Sequence, residues 1–202
     1  MSATGATIVL PPPARDGGVT VEQALSARRS VRAWAKAPLT LAQTGQLLWA
    51  AQGVTHSDGL RTAPSAGALY PLEIYVVAGA VEGLVSGTYR YLPQQHALQA
   101  TGEGDDRAAL ASAAYQQGWL AAAPAIIVIA AVPKRTARKY GARAERYVAI
   151  EAGHAAQNVY LQAEALGLGT TLVGAFADRQ VSSILGLPKG ERPLCLLPVG
   201  KP

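Results

Sequence analysis

Apolar positions along the chain fall into blocks of helical and of extended spacing. A capping box at Thr20-x-x-Gln23 opens a helix in which Val21, Ala24 and Leu25 share a face. A second box, Thr40-x-x-Gln43, opens a helix through Leu47, Leu48 and Ala51 to about Gln52, where Gly53 ends it. Extended signals follow at Leu72 to Val77, Thr88 to Leu92 and Ala97 to Ala100, the last two joined through a Pro-Gln-Gln-His turn. Asp105 to Ala114 reads as an Ala-rich helix. The unbroken apolar run from Ala125 to Val132 holds five β-branched residues and predicts a strand buried on both faces. The longest helix spans about Glu145 to Leu166, with Val148, Ala152, Ala155, Val159 and Ala163 on one stripe. Small residues on it, Gly153 and Ala156 among them, permit close helix packing. Gly167 and Gly169 end it, Thr170 to Val173 forms a strand, Asp178 caps a helix to Leu185, and Leu194 to Val199 closes the sheet.

Ahead of the first helix, residues 1–19 form a tail in which Thr7 to Leu10 can pair with a sheet edge before Pro11 to Pro13 and Gly17-Gly18 break it. Residues 20–202 then form one domain with no internal repeat. Hairpin strands mixed with helices predict an α+β fold rather than a regular βαβ winding.

Composition narrows the picture. The 202 residues are half apolar and only 15% charged. Such a chain buries a core without disulfides or metal, yet has few charges to cover its surface. An obligate oligomer is therefore expected. Net charge is +5, which suits an anionic partner. Nucleic acid is disfavoured, because only 12 aromatics are present and most sit in apolar stretches. A phosphorylated small molecule is the simpler partner. Cys195, the single cysteine, lies in Leu194-Cys195-Leu196-Leu197 and reads as core, so thiolate metal sites and intrachain disulfides are excluded. No signal-peptide pattern opens the chain. The longest apolar run, Trp119 to Val132, is too short to span a bilayer and is interrupted by Pro124. A soluble, cytoplasmic protein with no membrane partner is expected.

Several chemistries can be set aside. Gly167-Leu168-Gly169 follows a helix and precedes a strand, the reverse of a dinucleotide fingerprint. There is no Walker A sequence and no nucleophile elbow. Glu151 and His154 have a di-iron spacing but occur once, and neither His56 nor His96 has a partner at ligand spacing, so no metal is predicted. What remains is Arg28-Arg29-Ser30-Val31-Arg32. Three guanidinium groups and a hydroxyl within five residues suit a phosphate monoester. They equally suit a solvated basic helix end, where Arg complements the macrodipole.

Read together, five blocks decide between these. Ser26-x-Arg28-Arg29-Ser30-Val31-Arg32, Arg61 to Pro71 (RTAPSAGALYP), Glu151 to Asn158 continuing to Gly169, Val173-Gly174-Ala175-Phe176 and Leu197 to Lys201 occur in the order of the nitroreductase family, which the chain resembles over residues 20–201. With Leu47 to Gly53 (LLWAAQG) between the first two, it looks most like the SagB-type dehydrogenase branch.

The resemblance implies a nitroreductase-like α+β fold: a mostly antiparallel central sheet flanked by helices, and a long central helix at a homodimer interface. FMN would lie at that interface. Arg28 and Ser30 would bind its phosphate, Arg29 the same region, and Arg32 the ribityl or pyrimidine edge. Pro64, Ser65, Ala66 and Gly67 would line the ring from the partner subunit, with Val173, Gly174 and Ala175 beside N5 and Lys201 a further phosphate ligand. Many relatives continue into a C-terminal arm, whereas this chain stops at Pro202, so the dimer is expected to rest on the long helix. The implied activity is reduction of nitroaromatic or quinone-type acceptors by NAD(P)H through flavin N5. Two alternatives stand beside it: a SagB-type dehydrogenase of thiazoline or oxazoline rings in a peptide, and a flavin-binding protein without turnover. The dehydrogenase reading draws on Lys139-Tyr140, a catalytic candidate pair set among Lys134, Arg135, Arg138, Arg143 and Arg146. That stretch reads either as a solvated loop and helix start or as a lid recognising a 2′-phosphate or a peptide.

Overall fold

The computed structural model describes residues 5–202, and residues 1–4 of the expected tail lie outside it. Both capping boxes form as predicted. Thr20 and Thr40 accept the N–H of Gln23 and Gln43, whose side chains reach back to the cap N–H groups. They open α1 (Val21–Ala27) and α2 (Leu41–Gln52), the latter closed at Gly53. The tail supplies β1 (Thr7–Val9), followed along the chain by β2 (Leu72–Ala78), β3 (Gly87–Leu92) and β4 (Ala97–Glu103). Next come α3 (Arg107–Ala113), α4 (Trp119–Ala122), β5 (Ala125–Ala131), α5 (Pro133–Tyr140), α6 (Ala144–Ala165), β6 (Gly169–Thr170), α7 (Asp178–Ile184) and β7 (Arg192–Gly200).

All the strands join one sheet in the order β1-β4-β3-β2-β5-β7-β6, and every strand ladder is antiparallel. The α+β expectation holds, as does the edge pairing of the tail, with Ile8 opposite Leu98. β5 is central and wholly buried. Its alternate residues serve two cores: Ile127 and Ile129 pack with α2 and α6, whereas Ile126, Val128 and Ala130 pack with α3, α4 and α7. This double burial explains the unbroken apolar run, since neither face of the strand meets water. At about 1.5–3 kcal/mol per fully buried Val or Ile, β2 and β5 contribute substantially to core stability. The predicted stripe of α6, Val148 through Ala163, is buried throughout. Cys195 is core as expected, its thiol pushed up to about 12 by burial.

Four local expectations are corrected. Ala177, not Asp178, is the N-cap of α7, and no side chain caps it. The strand after α6 stops at Thr170, and Val173 meets Leu196 through a separate bridge. The expected Leu194 to Val199 strand lies between β5 and β6 and so does not close the sheet. Asp105 stays outside α3 and pairs with Arg107, whose other arm reaches Ala123 O at 2.6 Å. Between α3 and β5, the expected apolar run divides at Pro124 into the short α4 and the strand.

The tail is pinned by His96. One ring nitrogen contacts Pro11 O at 2.9 Å, so Nε2 carries a proton and donates. Nδ1 then accepts from the Tyr91 hydroxyl, also at 2.9 Å. Burial, opposed by the Pro11 carbonyl, holds the His96 pKa below its ordinary value. A depressed folded-state pKa means that the unfolded chain binds the proton more tightly. The contribution of neutral His96 is therefore full above about pH 6.5 and is lost as pH falls through the folded-state value. Melting temperatures measured from pH 7.5 to pH 5 should fall in the parent and fall less steeply in His96→Gln. Equal slopes would remove His96 from the acid response.

Candidate functional site

The residues that follow α1 are held in place by the sheet's β6 edge. Ser30 bridges Thr170 in parallel, Val31 N–H donates to Thr170 O at 3.0 Å, and Ala35 N–H donates to Lys201 O at 2.8 Å. The segment lies close because Gly169 and Gly200, paired across β6 and β7, carry no side chain. A Cβ on Gly169 would come within 2.6 Å of Val31, and one on Gly200 within 2.5 Å of Trp34. Both distances are far inside van der Waals contact.

This docking displays the basic residues unequally. Arg28 closes α1 and lies over the Tyr160 ring, 5.3 Å from its centroid. Arg32 lies 5.7 Å from the Trp119 ring centroid. Arg29 does something different: Nη1 donates to Ser26, Ala27 and Arg28 carbonyl oxygens at 2.9, 3.2 and 2.9 Å. It satisfies the carbonyls that a helix leaves open at its C-terminus. The basic-helix-end alternative thus describes Arg29, while among the described residues the Arg28 and Arg32 guanidinium groups donate to no protein acceptor. The Lys201 side chain is exposed beside the segment.

Tyr160, on α6, ties this segment to the turn after β6. Its hydroxyl accepts Leu172 N–H at 2.7 Å and lies 3.5 Å from Ser30 Oγ. Burial pushes the phenol pKa up, but contacts with Ser30, Thr171 and Leu172, with the Arg28 charge, together bring it below its ordinary value. In the turn itself, Gly174 and Ala175 are exposed, and among the described residues their N–H groups donate to no protein acceptor. Gln117 Nε2 and the Tyr115 hydroxyl each lie 3.4 Å from a carbonyl of this turn, those of Ala175 and Phe176. Tyr115 and Gln116 both have positive φ, 54° and 62°. Neither Tyr160 nor this α3–α4 loop carried a sequence signal; both become visible only through long-range contact.

Pro64 to Gly67 lies elsewhere in the chain. Glu151, buried on α6, accepts Ala66 N–H at 2.9 Å, and Ser65 Oγ accepts Tyr70 N–H at 2.9 Å. The nine residues from Glu151 to Tyr160 span about 13.5 Å of helix axis, so one chain holds this loop well apart from Ser30. Gly67, Ala68 and Tyr70 have φ of 63°, 53° and 44°. Left-handed backbone at a non-glycine residue costs about 1–3 kcal/mol and persists only where neighbours enforce it. Arg135 does part of that, donating to Tyr70 O at 2.9 Å while paired with buried Glu73.

The basic stretch that bears Arg135 is a helix, α5, with Pro133 in its first turn. It is neither a loop nor merely the start of α6. Lys139 and Tyr140 at its end stand over the Pro64–Gly67 loop: a Cβ on Gly67 would lie 3.0 Å from the Tyr140 hydroxyl and 3.2 Å from Lys139 Nζ. The Tyr140 ring meets Tyr147 edge-on at 5.0 Å. Glu151 and His154 belong to no metal-ligating group among the described residues; Glu151 serves as the anchor of the loop.

A long helix on an antiparallel sheet, with an arginine-bearing segment docked at the sheet edge beside a turn of free N–H groups, is the frame of a nitroreductase-like oxidoreductase. Residues 25–201 match the model of the nitroreductase family. A Methanocaldococcus jannaschii protein bearing a nitroreductase name is 48% identical over 183 residues, 91% of each chain. A crystal structure from Ralstonia eutropha, likewise named a nitroreductase, aligns with TM-score 0.87 at 32% identity, over 100% of this chain and 91% of its own. A chain of the Escherichia coli microcin synthetase complex with truncated pro-MccB17 shares the fold at TM-score 0.75 and 23% identity, covering 96% of this chain and 77% of that one. The chain belongs to the nitroreductase family, and with it to the FMN-dependent oxidoreductases. No helix among the described residues is long and apolar enough to cross a membrane.

Proposed function

We propose that this protein reduces nitroaromatic or quinone-type acceptors with electrons from NAD(P)H, in the cytoplasm, through FMN held at the β6 edge. The observation that carries this reading is the shared docking of Arg28, Ser30 and Arg32 with the 172–175 turn, because both ends of one flavin then meet one surface. The donor set fits the group. Arg28 and Ser30 offer a fork and a hydroxyl to a phosphate, with Lys201 and Arg29 nearby as further positive charge. Arg32, over the Trp119 ring, would serve the ribityl or pyrimidine edge. The free N–H groups of Gly174 and Ala175 suit the polar edge of a flavin ring, following Val173, which is fixed to β7. Bound there, FMN supplies hydride transfer at N5, and the protein supplies position and electrostatics.

Pro64, Ser65, Ala66 and Gly67 complete the ring site from a second copy of the chain. Their distance from Ser30 along α6 supports this. So does the outward face of α6, where Ala149, Ile150 and Gly153 are exposed and small or apolar. A homodimer packed through α6 would bring one protomer's loop to its partner's turn.

The test is direct. The purified or reconstituted protein should show the visible absorption of bound flavin and oxidise NADPH in the presence of menadione or nitrofurazone. A colourless protein that takes up no FMN would end this reading.

A second reading is favoured by one observation, the placement of Lys139 Nζ and the Tyr140 hydroxyl over Gly67. A base and a phenol beside the ring-lining loop suit proton removal during azoline oxidation in a peptide, the reaction of the SagB-type branch. Turnover of a thiazoline peptide without menadione reduction by NADPH would select it over the first.

A further inference from the structure

We infer that Tyr160 is a positioning residue for phosphate recognition, the middle link of a donor chain running from the Leu172 backbone through Ser30 to the bound anion. This rests on the reading of Arg28 and Ser30 as the phosphate end of the FMN site. A phenol has one proton to give and two lone pairs to receive. Leu172 N–H already occupies one lone pair of Tyr160, at 2.7 Å. The phenol proton is then free to point at Ser30 Oγ, 3.5 Å away. Once Ser30 Oγ accepts, its own proton turns outward, where Arg28 also stands. N–H to O–H to O–H is a chain in which each bond polarises the next, so the terminal donor is stronger than a free serine.

Two features support this order. The Ser30 contact is at the outer limit of a hydrogen bond, so it can tighten when an anion draws on Ser30. The Arg28 guanidinium rests on the face of the same ring, which aims it without consuming its N–H donors.

The chain makes the preference for FMN over riboflavin, which lacks the phosphate, depend on one oxygen atom. Tyr160→Phe keeps the ring under Arg28 and removes only that atom. Dissociation constants for both flavins should show the FMN preference falling about tenfold, as for one charge-assisted hydrogen bond, with riboflavin affinity unchanged. Ser30→Ala, at an exposed position, should lower the preference likewise, and the double variant should be no worse than Ser30→Ala alone. Equal weakening of both flavins in Tyr160→Phe, or additive losses in the double variant, would overturn the inference. If Tyr160→Phe does not fold, retention of the preference by Ser30→Ala is enough to overturn it. Arg28→Ala separates the two levels: loss of preference there but not in Tyr160→Phe sinks the Tyr160 role and leaves the FMN site standing. If the parent binds neither flavin, both fall.

Discussion

Arg28→Ala is expected to lose stable FMN while remaining folded. The side chain ends α1, and its only described partner is the face of Tyr160, 5.3 Å away. Among the described residues it holds no carbonyl and pairs with no carboxylate, and it is half-buried. Removing it therefore leaves no buried group unsatisfied, and the melting temperature of the apoprotein should barely move. With phosphate present the account changes. A hydrogen bond to a charged group contributes about 1.5–3 kcal/mol, which corresponds to roughly 10- to 150-fold in affinity. Fluorescence titration with FMN measures the affinity, and circular dichroism measures the fold. Arg29→Ala should behave in the opposite way, because Arg29 closes the carbonyls of α1. It should cost some helix stability and much less FMN affinity. If Arg29 proves the residue whose loss releases FMN, the phosphate has been placed at the wrong guanidinium.

That contrast shows where sequence reading reached its limit. Arg28 and Arg29 are adjacent and chemically identical, and no spacing argument separates them. What separates them is that Arg29 can fold back onto its own helix end, a choice made by local backbone direction. Features resting on local rules were legible. The two capping boxes, the stripe of α6 and the doubly buried β5 each follow from contacts within a few residues or from burial periodicity. Asp178 reads as a cap but sits in the first turn, because its residue type suits both positions. The tail's pairing was visible, but its lock by His96 was not, since Pro11 and His96 are far apart in sequence.

The site was legible in part for the same reason. Motif order identified the segments, whereas their assembly depends on long-range contacts through α6. Glu151 has a metal-ligand spacing to His154 in the sequence, yet it anchors the loop at Ala66. Tyr160 sits in a helical stripe where an aromatic residue ordinarily signals core. The left-handed Ala68, Tyr70, Tyr115 and Gln116 break local preference. No composition rule predicts them; at Tyr70 the carbonyl is held by distant Arg135, and at Ala66 the N–H by Glu151. Among the described residues, four of the five non-glycine residues with positive φ lie beside the 172–175 turn or the Pro64–Gly67 loop, a pattern common at functional sites.

Gly169 is the position where a single methyl group should damage both fold and site. As sequence it reads as a helix terminator, but its neighbour Gly167 already has the positive φ, 66°, that a helix exit needs. Gly169 instead lies directly beneath Val31. In Gly169→Ala the new Cβ would meet Val31 Cγ2, Cβ and Cγ1 at 2.6, 2.7 and 2.9 Å. Rotating Val31 cannot relieve a clash with its own Cβ, so the backbone must lift. That backbone is held by Val31 N–H on Thr170 O and by the Ser30 bridge, and both would stretch. Overpacking of this kind costs about 1–3 kcal/mol. At about 2–4 °C per kcal/mol for a domain of this size, the melting temperature should fall by several degrees. FMN affinity should fall with it, because Ser30 and Arg32 flank the displaced residue. The combined loss distinguishes this variant from Arg28→Ala, which weakens binding alone. Gly169→Ala with an unchanged melting temperature and full FMN affinity would mean that the arginine segment is not held against β6 as described.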